Sequence, residues 1–93
     1  MATRRVSGEW QLLASKLLSK SKSLSKQKKI ILNYFMKNIS VGDLRSIMDL
    51  EKKGVKNAEE LIEEMIKEGF LEKGTDCYNL SYPLRMYIFS KER

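Results

Sequence analysis

MIKEGFLEKG, residues 65–74, is where one periodicity gives way to another. Up to Lys67, apolar residues recur at helical spacing. Ala58, Leu61, Ile62, Met65 and Ile66 fall on one face of a helix that Asn57 opens as N-cap, with Glu60 at the capping-box position. Gly69 stands where a helix closes in the left-handed conformation. Beyond it the period drops to two. FLEK and CYNLS are short β-capable runs separated by Gly74, Thr75 and Asp76, a chemistry suited to a three-residue hairpin loop. The stretch therefore predicts a helix that hands directly into a β-hairpin.

Upstream, the pattern is helical. Ser40 followed by Asp43 is a weaker capping box, so a helix is predicted from about Val41, with Leu44, Ile47 and Met48 inward and Gly54 as its stop. Before it, a helix from about Ser25 to Asn38 carries apolar residues at Ile30, Ile31, Leu32, Tyr34, Phe35 and Met36. That is more than one stripe, so the helix must be covered on more than one side. A further helix from Ser7 to about Lys20 aligns Trp10, Leu13, Ala14, Leu17 and Leu18, and the Ser/Lys-rich SKSKSLSK after it reads as a solvated connector. Downstream, Pro83 in YPLRMYIFS suits a first helical turn with Leu84, Tyr87 and Ile88 on one face, although Met86 and Ile88 also alternate as in a strand.

A chain of 93 residues has material for one core. Its organisation is a basic N-terminal helix and linker over residues 1–24, then one domain over 25–93. No apolar run nears the eighteen or so residues that cross a bilayer, and none follows Arg4 and Arg5, so an intracellular protein is expected. Zero histidines and the single Cys77 exclude the ordinary zinc ligand sets and an internal disulfide. The same absence removes histidine bases and Ser-His or Cys-His pairs, and no GxxxxGK[ST] loop is present. No enzyme, metal or cofactor is expected. The net charge is +6, unevenly spread: residues 1–37 hold nine Lys or Arg against Glu9 alone, and residues 38–93 hold nine basic and eleven acidic ones.

The order of three helices and a tight hairpin, with MIKEGFLEKG at the junction and YNLSYPLRMYI leading into a last segment, resembles the winged helix-turn-helix family over roughly Ser25 to Phe89. The resemblance implies a mostly α fold with a small β-hairpin wing and extra N- and C-terminal helical segments. It further implies a homodimer on duplex DNA, as in a transcriptional regulator, with the Asn57–Glu68 helix in the major groove. Lys52, Lys53, Lys56 and Asn57 then stand where phosphate contacts are expected at a helix start, and Lys73 on the wing. Added positive charge comes from Lys26, Lys28 and Lys29 and from an Arg4, Arg5 arm.

Small winged-helix proteins from viruses of hot-acid archaea are similar in size and arrangement, and that likeness implies a Cys77–Cys77 bridge across a two-fold axis. Surplus apolar surface on the flanking segments points to dimer packing through Trp10, Leu13, Leu17, Leu18, Tyr87 and Ile88. One departure from the family pattern matters. Glu59, Glu60, Glu63 and Glu64 lie on the exposed face of the recognition helix, where carboxylates repel phosphate. The alternative is thus a winged-helix module that docks a protein partner through this acidic helix or the hairpin edge.

Overall fold

The computed structural model describes the backbone of residues 2–91 and the side chains of residues 9–91. The elements are α1 (Ala2–Ser21), α2 (Lys26–Lys37), β1 (Ser40–Gly42), α3 (Asp43–Lys52), α4 (Ala58–Lys67), β2 (Leu71–Gly74), β3 (Cys77–Leu80) and α5 (Tyr82–Lys91). The fold is mostly helical with one small antiparallel sheet of order β1-β3-β2, and it is winged-helix-like in the sequence of α2, α3, α4 and wing.

Two Schellman closures shape the chain. Gly54 and Gly69 have φ of +96° and +93°, conformations a side chain would strain. After α3 the N–H of Gly54 donates to Glu51 C=O and that of Val55 to Leu50 C=O, both at 3.0 Å. After α4 the N–H of Gly69 donates to Ile66 C=O and that of Phe70 to Met65 C=O. The residue following each glycine, Val55 or Phe70, is buried, so each turn is pinned by an apolar anchor. Ser25 caps α2 by accepting from the Lys28 N–H.

The core gathers Ile31 and Phe35 of α2, Leu50 of α3, Ile62 and Met65 of α4, Phe70, Leu71, Tyr78 and Leu80 of the hairpin, and Leu84 of α5. The expected double cover of α2 comes from within the chain, where α4, α5 and β3 all pack against it. Trp10, Ala14 and Leu17 are buried where α1 lies along α5.

Four expectations need correction. The third helix starts at Asp43, because Ser40–Gly42 is a strand paired with β3 through Ser40↔Asn79, Val41↔Tyr78 and Gly42↔Cys77. Ser40 spends its hydroxyl on Asn79 Oδ1 (2.6 Å) rather than on a helix cap, and the Asp43 N–H donates to Asp76 C=O at 3.0 Å. The hairpin loop has two residues, Thr75 and Asp76, since Gly74 pairs with Cys77, and Asp76 takes the left-handed conformation at φ 58°. Asn57 occupies the N-cap of α4 without a side-chain cap bond, so the expected capping box does not form.

The fourth correction concerns α3, whose inward face is Ser46 and Leu50, with Ile47 at its edge. Leu44 and Met48, expected inside, are 73% and 55% exposed. The fully buried Ser46 satisfies its hydroxyl on Asp43 C=O, and its small side chain occupies the inner position that an apolar residue was expected to fill. The C-terminal segment resolves to a helix. Its first N–H is capped at 2.8 Å by Glu72 Oε2, and the other oxygen of Glu72 pairs with Arg85 at 3.1 Å.

Candidate functional site

The α3–α4 turn positions the lysines. With Leu50 and Val55 buried on either side of Gly54, the intervening side chains face water, and Lys52, Lys53, Lys56 and Asn57 are all exposed. Lys53 also lines a small cleft of about 160 Å³ with Lys37, Asn33 and Asn38 at the C-terminal end of α2. Lys37 thus joins this basic group, a residue that its own helix gave no reason to single out.

The other predicted cluster does not join it. Lys28 lies nine positions before Lys37, about 14 Å away along the helix axis. There its ammonium is held between two carboxylates, 2.8 Å from Glu64 of α4 and 3.1 Å from Glu68 just past that helix's end. Its side chain is only 13% exposed, and the bond to Glu64 leads in raising its pKa. Lys28 is therefore an internal clamp and is withdrawn from the predicted phosphate contacts. Lys26 and Lys29 are exposed at the same end of α2, and Lys73 is exposed on β2. Arg4 and Arg5 fall outside the residues whose side chains are described. The positive charge is therefore split between the two ends of α2.

The acidic face of α4 is partly neutralised as well, by Lys28. The dimer residues are also redistributed. Trp10 and Leu17 are buried inside their own chain, Leu18 and Ile88 pack against its core, Tyr87 is half-buried, and Leu13 alone of the set is exposed.

A polar groove of about 600 Å³ opens on the other side of α2's end, between β1 and α3. In it the Tyr34 hydroxyl donates to Asp49 Oδ2 at 2.6 Å, and Arg45 Nε lies 3.5 Å from the same oxygen. Arg45 and Asp49 are one turn apart and share the flank of α3 that lines the groove. Leu44 and Met48, also one turn apart, form the neighbouring flank. A single helix face thus presents two exposed apolar side chains beside a guanidinium.

Burial first, and then the bond to Asp49, pushes the Tyr34 phenol up to about 12 from 10.0. The folded state favours the neutral phenol, so the stability that Tyr34 contributes is complete below pH 10.0 and is lost as pH rises toward about 12. Urea unfolding across that interval should show a progressive loss in the wild type and a shallower one in Tyr34→Phe. The remaining loss belongs to Lys28 and Tyr78, whose pKa values are also raised. A loss of equal steepness in the variant would contradict the assignment.

The family described as PolB1 Binding Protein 2 matches residues 25–86, two thirds of the 93-residue chain. The protein belongs to this family. The PolB1 Binding Protein 2 match runs from Ser25, the N-cap of α2, to Met86 in the middle of α5, so it takes in the groove, the α3 face and the α3–α4 turn and leaves α1 outside. No curated protein matches the chain.

Membership in the PolB1 Binding Protein 2 family lends nothing to the viral likeness, and the Cys77 bridge rested on that likeness alone. Cys77 is a free, half-buried thiol whose Sγ lies 3.7 Å from Asn79 Oδ1. No described helix is long and apolar enough to cross a membrane, and among the described residues no group of His, Cys, Asp or Glu could hold a metal ion.

Proposed function

We infer that this protein is a non-catalytic docking subunit that binds the polymerase PolB1 by protein–protein contact. The family match over residues 25–86 carries this reading, and it favours the docking alternative over a transcriptional regulator. The outer face of α3 supports it. Leu44 and Met48 make no use of their exposed surface within the chain, and an apolar pair bordered by arginine is the composition of an interface centre.

The test is a titration of the full chain into purified PolB1 by calorimetry, with the double variant Leu44→Ser and Met48→Ser beside the wild type. Both side chains are mostly in water, so the variant should melt within a few degrees of the wild type while binding at least about tenfold more weakly. Absence of any complex with the wild-type chain would end the reading.

A second reading has an observation of its own. Lys52, Lys53 and Lys56 with Lys37 are exposed and make no ion pair among the described residues, which supports contact with the phosphates of duplex DNA. Repeating the titration with duplex DNA added should show a salt-dependent gain that Lys53→Glu with Lys56→Glu removes. The homodimer has less behind it, because Trp10 and Leu17 are already used within the chain.

A further inference from the structure

β1 has only one neighbour. In the order β1-β3-β2 it is an edge strand, and antiparallel pairing turns alternate backbone groups outward. The bonds from Leu80 N–H to Ile39 C=O (2.8 Å) and from Asp43 N–H to Asp76 C=O (3.0 Å) fix that alternation. Val41 faces β3, and the N–H groups of Ser40 and Gly42 face away. Neither has a backbone acceptor among the described residues, and both residues are exposed.

Beside this edge runs the groove lined by Tyr34, Asn38, Arg45 and Asp49. Its one carboxylate is already engaged by the Tyr34 hydroxyl and by Arg45 Nε. The Arg45 side chain is 76% exposed, and a guanidinium carries more N–H donors than the one pointed at Asp49. What the edge and groove leave open is a row of donors beside the exposed Arg45 side chain, the groove's own carboxylate being already engaged.

We propose that an extended, acidic segment of the bound polymerase adds to β1 as a fourth strand. Its carbonyls accept from the Ser40 and Gly42 N–H groups, and a carboxylate pairs with Arg45. This deepens the docking reading and rests on it. A second copy is the poorer occupant: its own edge, Ser40–Gly42, brings no carboxylate to Arg45, and two three-residue edges would join little surface.

Gly42→Pro isolates the claim. Gly42 has φ −54°, which a proline ring adopts, and an added Cβ there meets nothing nearer than Arg45 Cβ at 3.9 Å. The N–H that proline removes has no backbone partner among the described residues. Gly42→Ala adds the same Cβ and keeps the donor.

With the full chain and PolB1, Gly42→Pro should raise Kd about tenfold and Gly42→Ala less than about twofold. Hydrogen exchange at the Ser40 and Gly42 amides should slow in the wild-type complex. If Gly42→Pro fails to fold, the exchange at these two amides decides alone. Unchanged exchange at both amides, in a complex that still forms, overturns strand addition and leaves the docking reading standing. Slowing that depends on the concentration of the isolated chain gives the edge to a second copy and likewise overturns the proposal. No complex with the wild-type chain overturns both readings together.

Discussion

Phe35→Ala should lower the stability of the protein by about 3–5 kcal/mol, the ordinary cost of emptying a fully buried phenylalanine site. Phe35 has no exposed surface and stands edge-on to Tyr34, with ring centroids 5.1 Å apart and planes at 90°. It belongs to the core that α2 shares with α3, α4, the hairpin and α5, so its removal opens a gap at the centre of the molecule. A domain of this size has a total stability on the order of 5–15 kcal/mol, and the variant should therefore be partly unfolded at physiological temperature. Urea unfolding followed by circular dichroism measures the loss. A cost below about 1 kcal/mol would mean that α2 does not organise the core. Phe35→Leu, which keeps most of the volume, should recover the larger part of the stability.

Trp10→Ala tests the packing of α1. The indole is buried in the chain's own interior, where α1 runs along α5, and its loss should cost about 3 kcal/mol. Because the contact is intramolecular, that cost should be the same at every protein concentration. A dimer held through Trp10 would instead melt at temperatures that rise with concentration. Trp10 is the only tryptophan, so its fluorescence reports on α1 alone. Coincidence of the fluorescence and circular dichroism transitions in the wild type would show that α1 unfolds with the remainder. An earlier fluorescence transition would show a helix that detaches first.

The junction at MIKEGFLEKG was legible because each feature there has a strong local cause. Gly69 takes a positive φ, Phe70 anchors the turn, and the change of period marks the passage from α4 to β2. The boundaries of α2 were legible for a similar reason, since Ser25 caps it and Asn38 closes it. β1 was not. Three residues are too few to show a period, and its pairing with β3 depends on a segment nearly forty positions away. Ser46 hid the orientation of α3, because hydrophobicity assigns Leu44 and Met48 to the core before a serine.

The candidate site divides the same way. The exposed Lys52, Lys53 and Lys56 follow from the turn that carries them. The ion pairs of Lys28 were not legible, because its charge is answered by Glu64 of α4 and by Glu68 at that helix's end, a long-range pairing that no local pattern announces. The groove drew residues from α2, β1 and α3 and left no trace in any one of them.

The bond from Asp43 N–H to Asp76 C=O joins the first residue of α3 to the tip of the hairpin, and β1 reinforces it along three pairs. The wing is thereby splinted to the helix and cannot swing as a free flap. A body that grips the outer side of α3 consequently fixes the aim of the hairpin tip as well. Two ligands meeting the molecule at these places would be held at a set spacing and angle, and the chain would serve them as a rigid gauge.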